Sequence, residues 1–238
     1  MSKGKHVLLT GSSRGIGAAI AKALGESGHR VIGQATSADE NRIAADFART
    51  GAALQLWQEA LDRLDGHIDV LINNAGLFAA SPLDQDHQDW LADWQQTMMI
   101  NLTASAELCR LAVRHWQEKG QGGRIINIAS RAAYRGDSPA HWHYAASKGG
   151  LVAMTKTIAR AYAAEDILAF AICPGFTMTG MAEDYLTSRG GDKLLNDIPL
   201  GRVAEPEEIA KIAAFCAVDA PPSMTGAVLD ANGASYVR

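Results

Sequence analysis

The sequence predicts an α/β protein with a doubly wound parallel sheet and helices on both of its faces. Short apolar runs rich in strand-forming residues recur along the chain, and helix-forming stretches lie between them. The chain has 238 residues, of which 47% are apolar, and this is enough for one sizeable core. Because crossovers between parallel strands are right-handed and both faces must be covered, the alternation is typical of a Rossmann-type sheet. We therefore expect one domain over residues 1–238.

The predicted strands share a nearly continuous apolar character, as strands buried on both faces require. They are 6–10, 30–34, 68–73, 124–130, 168–173 and 226–231. Between the second and third of these runs, the stretch "GAALQLWQEALDRL" (51–64) is expected to hold a shortened additional strand and a helix.

Helix signals lie between these runs. "IGAAIAKALGES" is rich in helix formers and ends before Gly28, a C′ glycine, while Pro206 stands at the N1 position of "PEEIAKIAAFCAV". The segment 84–118 is expected to hold one extended helix, with Trp90 and Trp94 one turn apart as packing residues.

Composition excludes several classes of function. The formal charge is −4 with no basic stripe, so nucleic acid is not an expected partner. The three cysteines contain no CxxC pair, which indicates reduced thiols in the cytosol. No stretch approaches the roughly 18 apolar residues of a membrane span. We expect a cytoplasmic protein that does not enter a membrane.

The turn "TGSSRGIG" (10–17) follows the first strand and opens a helix. Gly11 permits a tight turn with positive φ, and Gly15 and Gly17 allow a cofactor to approach the backbone while the helix N-terminus faces a pyrophosphate. The spacing is GxxxGxG, and a plain strand-to-helix connection stays open as the alternative.

The motifs together resemble those of the short-chain dehydrogenase/reductase family. "TGSSRGIG", "NNAG" (73–76), Asn101, Ser130, "YAASK" (144–148) and "PGFTMTG" (174–180) stand in that family's order, and the resemblance spans nearly the whole chain. "VIGQATS", "GRVAEPEEIA" and the ending "DANGASYV" are most similar to the 3-oxoacyl-[acyl-carrier-protein] reductases.

The resemblance implies a catalytic set of four residues. Tyr144 would protonate a carbonyl oxygen, and Lys148, four residues further along the same helix, would lower the pKa of Tyr144 and bind the nicotinamide ribose. Ser130 would polarise the carbonyl, and Asn101 would hold a water that links Lys148 to solvent. Read without the other motifs, the Tyr–Lys pair would be an ordinary amphipathic helix turn.

The cofactor implied by the resemblance is NADP(H). NAD-selective folds place an acid at the end of the second strand, where this chain has Ala35; the next acid, Asp39, is expected to start a helix. Arg14, Thr36 and Ser37 are donors for a 2′-phosphate, although a solvated loop charge is the alternative for Arg14. The expected cofactor-binding residues are Gly11, Ser13, Arg14, Gly15, Ile16, Gly17, Thr36, Asn74, Ala75, Gly76, Tyr144, Lys148, Pro174, Gly175, Thr177 and Thr179.

The chain departs from the family pattern in two places. The segment between the second strand and "NNAG" is shorter than in typical members of the family. The acidic motif that the family carries after its third strand is not found in this sequence. The spacing from Ser130 to Tyr144 is also longer than the commonest one. In this interval His141, Trp142 and His143 are expected to line the substrate pocket or pack at the loop; HxH alone does not complete a metal site, so no metal is expected.

The function implied is reversible, NADPH-dependent reduction of a carbonyl to a secondary alcohol. The preferred substrate is a 3-oxoacyl thioester carried on acyl carrier protein or CoA, and residues 178–200 are expected to cover it. Another small ketone, alcohol, sugar or polyketide-like substrate is the first alternative, and a catalytically silent NADP-binding regulator is the second. The resemblance also implies a homotetramer, with helices containing 84–118 and 144–163 at one two-fold axis and "LDANGASYVR" at another.

Overall fold

A computed structural model of the chain describes residues 4–178 and 195–238. Its centre is a seven-stranded parallel sheet with strand order β3-β2-β1-β4-β5-β6-β7. The strands are β1 (His6–Leu9), β2 (Arg30–Ala35), β3 (Arg42–Ala44), β4 (Val70–Asn73), β5 (Gly123–Ile128), β6 (Ile167–Pro174) and β7 (Val228–Ala231). The reversal of strand order at β1 places the carboxyl ends of β1 and β4 at the crevice where such sheets bind ligands.

The helices lie between the strands, as the alternating pattern predicts. They are α1 (Gly15–Glu26), α2 (Ala52–Arg63), α3 (His87–Met98), α4 (Ala104–Lys119), α5 (Ala132–Arg135), α6 (Trp142–Tyr162) and α7 (Pro206–Val218). A π-helical turn at Met99–Thr103 joins α3 to α4, so the extended helix predicted over 84–118 is present with one irregular turn. In the part of the chain that the structure describes, no helix is long and apolar enough to cross a membrane.

Two apolar layers cover the faces of the sheet. The layer of α1 and α7 packs on alternate strand residues such as Val7 and Leu9, while the layer of α2, α4 and α6 packs on the opposite set, which includes Leu8. This is the alternation that a strand with both faces buried produces. Trp116 on α4 is fully buried, and its indole N–H donates to the Ile68 carbonyl at 2.7 Å. The doubly wound fold is therefore confirmed.

Two expectations about the edge of the sheet were wrong. The third strand lies at Arg42–Ala44. The stretch 51–64, where it was expected, contains only the helix α2, which begins after Gly51. No helix starts at Asp39, because the connection from β2 to β3 is a short loop in which Asp39 pairs with Arg42. The missing crossover helix leaves a groove of about 850 Å³ beside β2, lined by α1 residues and by this loop.

Candidate active site

The glycine-rich turn closes tightly between β1 and α1. Gly11 and Gly15 have φ values of +65° and +53°, which a side chain would strain. A Cβ on Gly17 would clash with the Gly11 carbonyl oxygen, so this position also needs glycine. Ser13 and Arg14 are exposed at the turn, and α1 begins directly after them. The turn therefore offers an open helix N-terminus with a cradle of the kind that accommodates a pyrophosphate, and it fits the dinucleotide implied by the sequence.

The "NNAG" segment is fastened to this turn by hydrogen bonds. The hydroxyl of Thr10 accepts from the backbone N–H groups of Asn74 and Ala75 at 2.9 and 3.0 Å. The Asn74 amide donates to the Gly11 carbonyl at 2.9 Å. Gly76, next along the chain, is exposed. The structure thus brings together two of the predicted cofactor-binding stretches at the carboxyl ends of β1 and β4.

Gln34 on β2 is a buried polar residue that the sequence reasoning missed. Its side-chain oxygen accepts from the Gly11 N–H at 2.9 Å, and its amide nitrogen donates to the Ala45 carbonyl at 2.6 Å. One side chain therefore ties the glycine-rich turn to the residue that follows β3. The signal was a glutamine within an otherwise apolar strand, a position that burial forces to be hydrogen-bonded.

The end of β2 carries no acid. Ala35 is buried there, and Thr36 and Ser37 after it are exposed. The sequence reading that no acid follows the third strand was wrong, since β3 ends at Ala44 and Asp46 follows it after one residue. This expectation failed because the third strand was expected within 51–64, which lies after Asp46 in the chain. Asp46 is thus a further candidate for contacts on the adenine side of a dinucleotide.

Tyr144 and Lys148 lie on the first turns of α6 with their side chains adjacent. The Lys148 Nζ atom is 5.8 Å from the centre of the Tyr144 ring and donates to the Ile128 carbonyl at 2.9 Å. Lys148 is only 4% exposed, and burial lowers its pKa to about 8. A lysine with such a pKa can exchange a proton near neutral pH.

Ser130, just beyond the end of β5, interacts with the Tyr144 phenol and acts to lower its pKa. Burial of the phenol raises its pKa to about 12, against the effect of Ser130. Phe78 contacts the Tyr144 ring edge-on, with 4.8 Å between ring centres. The Ser130 hydroxyl also accepts from the Ala132 N–H at 3.1 Å, which fixes the serine beside the tyrosine.

Asn101 lies in the π-helical turn and is fully buried. Its side-chain oxygen accepts from the Leu77 N–H at 2.7 Å, and its nitrogen donates to the Leu77 carbonyl at 2.9 Å and to the Ser147 hydroxyl at 3.2 Å. A Cβ built on Gly76 would lie 3.4 Å from the Lys148 Nζ and 3.6 Å from the Asn101 oxygen. Both predicted relay residues therefore face the same glycine, without contacting each other directly.

The three residues before Tyr144 occupy different environments. His141 stacks on Phe78 at 4.1 Å between ring centres, and its Nδ1 is 2.7 Å from the Ser138 hydroxyl. His143 is buried, whereas Trp142 is 53% exposed. Burial lowers the pKa of both histidines. His143 stacks on His141 with 6.3 Å between ring centres, so both histidines belong to the aromatic group beside Tyr144. No cluster of three or more metal-ligating side chains occurs within 4–178 and 195–238.

The predicted stretch after β6 closes the same edge of the sheet. Pro174 ends β6, and a Cβ on Gly175 would lie 2.8 Å from the Asn232 Cα, so the backbones approach closely there. Thr177 is buried and pairs with Ala204. Thr179 lies outside the described residues, as does most of the predicted covering segment 178–200.

The site as a whole combines a hydroxyl pair, a buried ammonium group and a phosphate cradle. A phenol beside a serine can donate a proton to a carbonyl oxygen that the serine polarises, and an adjacent cation favours the phenolate that is left. This is the chemistry of adding or removing hydrogen at a carbonyl carbon next to a bound dinucleotide.

Comparison with known proteins agrees with this geometry. The family profile described as enoyl-(acyl carrier protein) reductase matches residues 11–233. The chain is 37% identical to a 3-oxoacyl-[acyl-carrier-protein] reductase of Haemophilus influenzae, covering 99% of each chain, and 33% identical to a 3β-hydroxysteroid dehydrogenase of Eggerthella lenta, covering 97% and 93%. A double mutant of a short-chain dehydrogenase/reductase from Serratia marcescens superimposes with a TM-score of 0.87 at 29% identity, covering 99% of both chains.

The fold and the site define a dinucleotide-dependent oxidoreductase acting on CH–OH and C=O groups. The chain belongs to the short-chain dehydrogenase/reductase family, and this membership implies a nicotinamide cofactor.

Proposed function

We propose that this protein is a cytoplasmic, NADPH-dependent reductase that converts a ketone to a secondary alcohol, with Ser130, Tyr144, Lys148 and Asn101 as its catalytic residues. The observation that carries the proposal is the grouping of the Tyr144 phenol with the buried Lys148 ammonium group, 5.8 Å from the ring centre, beside Ser130 at the carboxyl edge of the sheet. In the opposite direction the same residues would oxidise the alcohol.

The residues divide the work as follows. When bound, the nicotinamide supplies or accepts the hydride at the carbonyl carbon. Ser130 donates a hydrogen bond to the carbonyl oxygen, and Tyr144 donates the proton that this oxygen takes up. Lys148 stabilises the resulting phenolate by its charge. Asn101 holds the Leu77 backbone and the Ser147 hydroxyl, and so shapes the path by which Lys148 and Tyr144 recover a proton.

The substrate that we favour is a 3-oxoacyl thioester. Several relatives that are similar along nearly their whole length are named as 3-oxoacyl-[acyl-carrier-protein] reductases, which supports an acyl chain carried on that protein or on CoA. The aromatic pair of Phe78 and His141 beside Tyr144 also suits a flat apolar ketone, and one relative is named as a hydroxysteroid dehydrogenase.

An activity panel tests the proposal. NADPH oxidation is followed with an acetoacetyl thioester, a small neutral ketone and a ketosteroid, each with purified full-length protein. We expect turnover with at least one of them and the highest kcat/KM for the thioester. NADPH binding without turnover of any carbonyl would instead identify a silent NADP-binding regulator.

Cofactor choice gives a direct prediction. Arg14 and Thr36 are exposed at the edge of the cradle, and Ala35 leaves no acid to repel a 2′-phosphate. We expect NADPH to bind at least about tenfold more tightly than NADH, which is about 1.4 kcal/mol, and Arg14→Ala to remove most of this difference. Fluorescence titration of both cofactors measures it, with Arg30→Ala as the control, because this exposed arginine starts β2 at the opposite edge of the sheet. Equal affinities in the wild type would show that the end of β2 was misread.

We also predict a homotetramer. Trp90 and Trp94 stack on α3 with 5.5 Å between ring centres, and Leu91 and Trp142 are 40% and 53% exposed, so the helical face near α3 and α6 presents apolar surface. Light scattering at micromolar concentration should give four times the mass of the 25.3 kDa chain. A monomeric mass would contradict this assembly.

A further inference from the structure

Arg131 is a buried arginine directly after Ser130, and the family motifs assign it no role. The residue is 9% exposed, and its side chain 10%. One terminal guanidinium nitrogen, Nη1, is buried without a hydrogen-bond partner in the described part of the chain. Since a buried charge is normally paired and hydrogen-bonded, this atom indicates a ligand.

The neighbouring groups only partly compensate the charge. The Asp197 carboxylate is 3.6 Å from Nη1, beyond hydrogen-bond distance, and accepts from Arg135 at 2.8 Å instead. Asp197 is half exposed, so solvent screens its attraction. Burial and the charge of Arg135 both lower the pKa of Arg131, while Asp197 and Asp137 raise it. The Phe176 ring lies 4.8 Å from the guanidinium carbon and closes another side.

The backbone of Arg131 lies at the edge of the sheet that carries the reacting groups, directly after Ser130. Its N–H donates to the Pro174 carbonyl at 2.9 Å, at the end of β6, so the residue lies at the carboxyl edge of the sheet. Ser130 precedes Arg131 in the chain, and the Phe176 ring lies against the guanidinium group. The charge of Asp137 acts to raise the pKa of both Arg131 and Tyr144.

We propose that Arg131 binds a carboxylate of the substrate, so that the preferred ketones carry an acid group a few bonds from the reacting carbonyl. This inference rests on the proposed reductase function and specifies its substrate class. A carboxylate matches the planar guanidinium fork and can supply the hydrogen bond that Nη1 lacks. A thioester of an oxo dicarboxylic acid would satisfy both this site and the acyl-carrier relationship.

The test compares a homologous series of oxo acids with their methyl esters, using purified full-length protein and NADPH. The wild type should have a kcat/KM for the best acid at least about tenfold above that for its ester. Arg131→Met, which keeps much of the side-chain length, should lose this preference mainly through the KM of the acid and leave ester turnover within a few-fold. Arg131→Lys should restore part of the preference, because the charge returns without the fork.

Two further variants sharpen the result. Asp197→Asn removes the competing carboxylate and should lower the KM of the acid. Lys156→Met removes an exposed positive charge on α6 and should change neither substrate, which controls for net charge. If Arg131→Met does not fold, inhibition of ester reduction in the wild type by saturated carboxylates of matching length gives the same information. Phosphate monoesters that inhibit more strongly than these carboxylates would overturn the carboxylate assignment.

The outcomes separate the two proposals. Reduction of esters and neutral ketones without an acid preference overturns the role of Arg131 and leaves the reductase function in place. An equal loss with acid and ester in Arg131→Met also overturns it, since this is the effect of a purely structural arginine. No turnover of any carbonyl overturns the proposed function itself.

Discussion

Replacing Tyr144 with phenylalanine is expected to abolish carbonyl reduction and to leave NADPH affinity nearly unchanged. The phenylalanine ring can keep the edge-on contact with Phe78, so the packing of α6 stays intact. What disappears is the phenolic hydroxyl, and with it the only proton that our mechanism delivers to the carbonyl oxygen.

Steady-state kinetics and cofactor titration of the same preparation measure this effect. Tyr162→Phe is a matched control, because this tyrosine ends the same helix and takes no part in the proposed reaction. Retention of more than about a tenth of kcat/KM, a barrier increase below about 1.4 kcal/mol, would remove Tyr144 from its role.

The pKa of Tyr144 shows what the rest of the site must do. Burial raises this pKa to about 12, so the residue holds its proton through the neutral range. Transfer to the carbonyl oxygen becomes easier when positive charge lies close to the phenolate. Lys148 carries such a charge 5.8 Å from the ring centre. The expectation that it lowers the pKa of Tyr144 is not met, because burial of the phenol raises this pKa instead. The reduction rate should fall as rising pH removes either proton.

The strand pattern was sufficient for the fold, except at one edge of the sheet. The six predicted runs coincide with strands because each is mostly apolar, and all of them except β7 are largely buried. The remaining strand, β3, was missed. It has three residues, contains an arginine and has only one buried residue, Ile43, so no periodicity distinguishes it from a loop. Its position depends on pairing with β2, a long-range contact that local sequence does not reveal.

The sequence predicted those residues of the candidate site that belong to recognisable motifs. It did not predict the features that arise only from tertiary packing. Tyr144, Lys148 and Ser130 were found by residue type and order. The π-helical turn that aims Asn101 at Leu77 has no local signature, because one extra backbone residue in a helix turn leaves the composition unchanged. The sequence did not single out Arg131, since its burial depends on Phe176 and on elements far along the chain.

The buried ammonium group of Lys148 should cost folding stability, and Lys148→Met should therefore stabilise the protein while it abolishes turnover. The pKa falls from 10.5 to about 8 on folding, because burial disfavours the charged form. At neutral pH this corresponds to a penalty of about 2 to 3 kcal/mol. Methionine fills a similar volume without charge, but it leaves the Ile128 carbonyl without its donor, which offsets about 1 kcal/mol. The net gain should be about 1 to 2 kcal/mol, a rise in Tm of a few degrees for a chain of this size.

The dependence on pH identifies the cause of this gain. Between the folded pKa of about 8 and the unfolded value of 10.5, the unfolded chain binds more protons at Lys148 than the folded protein does. Below a pH of about 8 the wild type therefore bears the full free-energy penalty of burying the charged Lys148 side chain. This penalty decreases as the pH rises from about 8 to 10.5. Denaturation of wild type and Lys148→Met should give curves that are furthest apart at neutral pH and converge, or cross, near the upper end. Lys156→Met, an exposed lysine on the same helix, is the control and should show no such convergence. A Lys148→Met variant that is less stable than wild type at neutral pH, or whose stability difference does not change with pH, would mean that the buried lysine is held in place without the electrostatic cost inferred here.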